Sequence, residues 1–266
     1  MAAALVAAAM LAAIAFVARD PDVLVRMEFA RQLHEAHLSK REANVAGHRW
    51  VYAYREADKP DAPTIVMVHG FTGMKENFYP VARALGGRYR LVIPDLPGWG
   101  ESERLPREQY GFLAQSERLA AFIRHVSPDK PVVLVGHSMG GGVVALTAAG
   151  YPQLVSHVAL LDAAGVRFRD NRFGEAVLAG QNPFAVHDRA SLDRYLSTVY
   201  FDKDKIPSIP WPADKAYIAR RVRDAAFGQR VLGAIGRGPD RSLPGDEAAR
   251  IAQPTLLLWC RNDAVI

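Results

Sequence analysis

Ser138 stands where a hydroxyl can do nucleophilic chemistry. It is the middle residue of Gly136-His137-Ser138-Met139-Gly140, after the apolar run 132–135 and before small and apolar residues that extend to Tyr151. That order predicts a buried strand, a sharp turn and a helix with one hydroxyl at the apex, the context of a G-x-S-x-G nucleophile elbow. A serine attacks a carbonyl only when a base takes its proton. The attack leaves an oxyanion that needs fixed hydrogen-bond donors. The backbone N–H of Met139 is one expected donor, and the turn His69-Gly70-Phe71 should supply the other through the N–H of Phe71. Asp263, just past the apolar run 254–259, sits in a polar turn where a carboxylate could orient an imidazole, and Asp162 is the alternative acid. His69, Gly70, Gly136, His137 and Gly140 shape the two turns. The implied chemistry is acyl transfer to Ser138 followed by hydrolysis, with neither metal nor cofactor.

Such residues must be carried by a sheet. The apolar runs 64–68, 89–94, 132–135, 157–161 and 254–259 read as buried strands, and 48–52 as a strand near the sheet's edge. Amphipathic segments at 77–85 and 115–126 alternate with them as helices. Strand and helix in alternation predict an α/β fold, a mostly parallel sheet with helices on both faces. His69, Asp95, Ser138 and Asp162 then all fall at strand carboxyl ends, the rim where such sheets carry function. Asp95 is expected to brace its glycine-rich turn. From 166 to 252 prolines and aromatics break the rhythm, with helix-like pieces at 191–199 and 213–223. This stretch is expected to be a cap inserted before the last strand, the core being 45–165 and 253–266. Its Phe173, Leu178, Phe184, Tyr195, Tyr200, Phe201 and Trp211 would suit an apolar acyl chain, or else fasten the cap to the body.

The 266 residues carry a net charge of +5 with no basic run of five, which argues against a nucleic-acid partner. The single Cys260 excludes an internal disulfide. Residues 1–18 carry no charged side chain, and ten of them are alanine. They are expected to be a signal anchor, with a cleaved signal peptide or a buried helix as alternatives. Residues 19–44 read as an amphipathic helical connector, so that 1–38 would meet a membrane surface or pack on the body. Arg19, Arg26 and Arg31 are interleaved with Asp20, Asp22 and Glu28 and give no orientation.

Together His69-Gly70-Phe71, the segment Asp95-Leu96-Pro97-Gly98-Trp99-Gly100-Glu101-Ser102, Gly136-His137-Ser138-Met139-Gly140-Gly141 and Pro254-Thr255-Leu256-Leu257-Leu258-Trp259 resemble the α/β-hydrolase superfamily from about residue 45 onward. More narrowly, Leu160-Leu161-Asp162-Ala163-Ala164-Gly165-Val166, a cap bearing Asn-Pro and an apolar start are similar to bacterial lipases related to membrane-bound monoacylglycerol lipases. The resemblance implies a serine ester hydrolase with Ser138 as nucleophile and Asp263 as acid. A carbon–carbon bond hydrolase and a non-catalytic binding protein on the same fold are the alternatives. The superfamily places its triad histidine after the acid. Here the histidines are His34, His37, His48, His69, His125, His137, His157 and His187, all before Asp263. The expectation is therefore a chain that stops short of its base, impaired in this form.

Overall fold

The structure, a computed structural model, describes residues 1–169 and 171–266, except for the side chains of Ala3, Ala4, Ala9, Ala12, Ala13 and Ile14. Seven strands form one sheet: β1 (Ser39–Val45), β2 (His48–Arg55), β3 (Thr64–Val68), β4 (Arg90–Pro94), β5 (Val132–His137), β6 (Val155–Leu161) and β7 (Thr255–Leu258), in the order β1-β2-β4-β3-β5-β6-β7. Only β2 runs against its neighbours; the pairs β4–β3, β3–β5, β5–β6 and β6–β7 are parallel. The sheet is thus the mostly parallel one the alternation predicts.

Two local differences have physical reasons. The connector expected as helix over 19–44 divides into α2 (Asp22–Glu35) and β1. Strand β1 is an edge strand with mostly exposed residues, so it shows no apolar alternation to read. It pairs with β2 across the two-residue turn Ala46-Gly47, both at positive φ, as a tight hairpin requires. Consequently β2 lies second in the sheet, and all but one of its residues are buried.

Side-chain alternation divides the strands between two covered faces. On one, Ala53, Ile65, Met67, Leu91 and Ile93 pack with Ala36 and Leu38, with Phe78, and with Tyr79 and Ala82 of α3 (Tyr79–Leu85). On the other lie α4 (Phe112–Val126) and α5 (Met139–Gly150), where Phe122 stacks on Trp50 at 4.4 Å and meets Tyr52 edge-on. At the far edge, Leu256, Leu257 and Leu258 of β7 are exposed.

The chain forms two compact units. One holds 32–183 and 229–266 and contains the sheet. The other joins 1–31 to 184–228. It comprises α1 (Ala2–Arg19), most of α2, α7 (Arg189–Val199), α8 (Ala213–Arg223) and the start of α9 (Ala225–Arg237). Of the expected cap 166–252, only 184–228 falls in this second unit, while α6 (Arg172–Leu178) and α10 (Leu243–Glu247) belong to the first. Position 170 lies outside the described residues. The second unit has its own core of Val186, Leu192, Tyr195 and Leu196, backed by Phe184, Ile206, Ile209, Tyr217 and Ile218. Among the described residues, no helix is long and apolar enough to cross a membrane, so the span expected of residues 1–18 finds no support in α1.

A buried ion cluster ties two rim loops of the first unit together. Asp95, at the end of β4, accepts from the Lys75 backbone N–H at 2.7 Å and from the Glu101 N–H at 2.9 Å. Its Oδ2 also meets Lys75 Nζ at 2.9 Å. That ammonium contacts Glu76 at 2.8 Å and Glu101 at 3.0 Å, and Glu101 in turn pairs with Lys40. Burial works against a charged Lys75, but Asp95 and Glu76 outweigh it and hold its pKa above the ordinary lysine value. Burial, and then repulsion from Asp95, raise the Glu76 carboxyl. Asp95 braces its turn, and it also fixes the loop after β3. Removing one member of a buried pair leaves a charge uncompensated. Lys75→Met should therefore cost about 3–5 kcal/mol in denaturant unfolding. A loss below about 1 kcal/mol would place the pair in the solvated class instead.

Candidate active site

Ser138 occupies the turn between β5 and α5 with φ 52° and ψ −122°, a backbone conformation that side chains rarely adopt. Backbone bonds hold it there. Its N–H donates to Leu161 O at 2.9 Å, and its carbonyl accepts from Gly141, Gly142 and Ala164 at 2.8, 3.2 and 2.9 Å. The turn also requires bare glycines. A Cβ on Gly140 would stand 2.4 Å from the carbonyl oxygens of Val68 and His69, and one on Gly136 would stand 2.4 Å from Gly140 O. The elbow is therefore wedged against the end of β3.

The loop after β3 passes directly over the serine: a Cβ on Gly70 would meet Ser138 Cβ and His137 Nδ1, each at 3.1 Å. His69 is buried and spends both ring nitrogens on backbone. Leu96 N–H donates to Nε2 at 3.0 Å, which leaves the proton on Nδ1 to be donated to Gly70 O at 2.8 Å. Gly73 N–H donates to the same carbonyl at 3.0 Å. The Gly70–Phe71 peptide is thus clamped by its oxygen, and its N–H points the opposite way because the peptide is planar and trans. The Ser138–Met139 peptide is clamped in the same manner, with Met139 N–H in the first turn of α5, where the helix offers it no acceptor. The Trp99 indole N–H donates to Phe71 O at 2.6 Å, and Gln115 holds Pro97 O at 2.8 Å. Lys75, Trp99 and Gln115 hold the loops beside the elbow, and sequence reasoning missed them. Trp99 lies inside the segment that carries the family likeness, but nothing in the sequence gives its distance to Phe71.

The two acid candidates differ in their commitments. Asp162, at φ 45°, accepts from Cys260 N–H at 2.7 Å and from Cys260 Sγ at 3.4 Å, so it fastens the end of β7 to the end of β6. That contact is the leading cause raising the Cys260 thiol pKa. Asp263 turns one oxygen, Oδ1, onto the N–H groups of Val265 and Ile266 at 2.7 and 3.0 Å. Burial lowers the His137 pKa, and the charges of Asp162 and then Asp263 oppose that shift. Ser138, His137, Asp162, Asp263, Gly70 and Met139 therefore share one end of the sheet. Among the described residues, no imidazole is hydrogen-bonded to Ser138, and no group of three His, Cys, Asp or Glu side chains could hold a metal ion.

Of the aromatics expected to suit an acyl chain, Tyr195 and Phe184 pack in the core of the second unit. Phe201 and Trp211 are 71% and 67% exposed.

Residues 63–266 match the model of the alpha/beta hydrolase fold family. The chain belongs to that family. Lipase 1 of Psychrobacter immobilis is 29% identical over 225 residues, 83% of this α/β-hydrolase and 68% of that lipase. Monoacylglycerol lipase ABHD6 of Homo sapiens is 25% identical over 256 residues, 92% of this chain and 74% of its own. Among solved structures, a membrane phospholipase A described as a bacterial virulence factor superposes with a TM-score of 0.85 at 30% identity, covering 100% of this chain and 84% of that one. A putative lipase from Acinetobacter baumannii AYE gives 0.78 at 25%, covering 91% and 80%. These relatives support a lipase- or esterase-type hydrolase activity for this α/β-hydrolase.

Burial pushes the His69 imidazole below the ordinary histidine pKa of 6.5, against the pull of Asp95. A folded-state pKa below the unfolded one gives stability that is full above 6.5 and lost as pH falls toward the folded value. Unfolding free energy should accordingly fall as pH is lowered from about 7 to 5, with a shallower slope in His69→Gln, which keeps a polar side chain but does not titrate in that range. Equal slopes in the two proteins would show that His69 does not titrate with folding.

Proposed function

We propose that this chain is a serine carboxylic-ester hydrolase that takes acylglycerol-like esters at a lipid surface. The observation that carries the reading is Ser138 held at positive φ beside two peptides clamped through their carbonyls, which supports assigning the N–H groups of Phe71 and Met139 as the oxyanion donors. Ser138 Oγ attacks the ester carbonyl and passes its proton to a base from the medium, such as imidazole, while the carbonyl oxygen takes up the negative charge between the two N–H donors. Collapse of the adduct breaks the ester C–O bond, the leaving oxygen takes the proton back from that base and departs as the alcohol, and water then cleaves the acyl-serine to the carboxylic acid and free Ser138. Asp263 is assigned as the acid at this end of the sheet, since both oxygens of Asp162 are taken up by Cys260 while Asp263 uses only Oδ1. A lipid surface as the place of reaction is supported by the uncharged run 1–18 and by the membrane phospholipase and the monoacylglycerol lipases among its relatives.

Proton removal is assigned to none of the eight histidines. His69 is saturated by backbone, and His137 precedes the nucleophile on β5, where successive side chains point to opposite faces. The 266 residues by themselves should therefore react slowly but specifically. A fluorophosphonate probe should label Ser138 and fail to label Ser138→Ala, and millimolar imidazole in the medium should accelerate the wild type alone by supplying the base. Absence of labelling in a folded protein would overturn the serine mechanism. Acceleration of Ser138→Ala by imidazole would show that the gain is not at the elbow.

A further inference from the structure

The loop between α7 and α8, residues 200–212, has an unusual division of labour. Its aliphatic residues Ile206 and Ile209 face inward onto the core of the second unit. Its aromatic residues Tyr200, Phe201 and Trp211 remain exposed. A loop that could bury its aromatics in protein would gain more by doing so than by burying isoleucine, because aromatic side chains offer the larger area. Pro207, Pro210 and Pro212 restrict the backbone, so little conformational freedom remains to be lost when the aromatics find a partner. Lys203 Nζ is tied to the carbonyls of Ser197 and Tyr200 at 3.0 and 3.3 Å, which fixes the stem beside Phe201. At the other end, Lys215 Nζ stands 5.9 Å from the Trp211 ring centroid.

Aromatic rings with an amine beside them suit the boundary between lipid headgroups and acyl chains, where the ring sits and the amine reaches the phosphate. The same compact unit carries α1, an uncharged helix up to Arg19 whose Leu5, Val6, Met10, Leu11 and Phe16 are exposed. An ion pair fixes the distance between the two features. Asp22, at the start of α2, meets Arg220 of α8 at 3.9 Å. Trp211 precedes Arg220 by nine residues, about 13 Å along α8. The carboxyl end of α1 and the aromatic loop therefore stand close enough to meet one membrane surface. The loop itself alternates Asp202, Lys203, Asp204 and Lys205, so its charges cancel and favour no anionic surface.

We propose that residues 200–212 dock on a zwitterionic phospholipid surface by inserting Phe201 and Trp211, as a second contact beside α1. The inference rests on the reading of the chain as a lipid-surface esterase and names the part of it that meets the lipid. The test uses the full chain with Trp259→Phe as background, which leaves Trp50 and Trp99 buried and Trp211 as the exposed indole. Phosphatidylcholine vesicles with brominated acyl chains should quench tryptophan emission, and the quenching should vanish in Trp211→Phe. Phe201→Ala with Trp211→Ala should weaken vesicle partitioning about tenfold or more, the value of burying one apolar side chain, and leave fluorophosphonate labelling of Ser138 unchanged. Quenching that persists in Trp211→Phe, or partitioning unchanged by the double substitution, overturns the proposal. So does a double variant that loses only self-association, which would make a second copy of the chain the occupant. Loss of Ser138 labelling in the unsubstituted protein would count against the esterase reading alone, since quenching reads the loop independently.

Discussion

The structure depends on one close approach, that of the elbow between β5 and α5 to the end of β3. Gly140 touches the carbonyls of Val68 and His69, and no side chain fits between them. The contact sets Ser138 at a positive φ, at a cost of order 1–3 kcal/mol. Its backbone bonds to Leu161, Gly141, Gly142 and Ala164 offset that cost. Because the neighbouring strands on both sides of β5 take part, the serine's position is a property of the sheet and not of the turn alone.

The same constraint governs the two peptides beside Ser138. Each is anchored through its carbonyl, Gly70 O by His69 and Gly73, Ser138 O by three amides, and each leaves its N–H pointing away from its anchors. A backbone donor cannot be improved by choosing a side chain, so the protein controls it by clamping the other end of the plane. His69 does this as a neutral imidazole held by Leu96 N–H, and Trp99 adds a second hold one residue on. Behind them, Asp95 couples the loops after β3 and β4 through Lys75 and Glu101. A charge cluster buried this deeply is weak evidence of added stability. Its evident effect is to fix two loops in one register.

Much of this was legible in the sequence where local pattern decides structure. Continuous apolar runs marked β3, β4, β5 and β6, and the five-residue elbow marked the turn. The edge strand β1 was not legible, because an exposed strand carries no hydrophobic signal. The division of the expected cap was not legible either, since the joining of 1–31 to 184–228 depends on contacts such as Asp22 with Arg220 that are remote in sequence. At the site, Ser138, Gly70 and Met139 could be named from motif position. The holds from Lys75, Trp99 and Gln115 could not, as each depends on a side chain crossing between loops. Composition spoke for aromatics in the 184–228 segment but could not tell Tyr195, which is buried, from Trp211, which is not.

The claim that two clamped peptides face the hydroxyl of Ser138 is tested most directly by the crystal structure of the protein phosphonylated at that serine. The account predicts the phosphonyl oxygen within about 2.7–3.1 Å of both Phe71 N and Met139 N, with the Gly70–Phe71 peptide unmoved. An oxygen directed to solvent, or a Gly70–Phe71 peptide rotated so that its carbonyl faces the adduct, would contradict it.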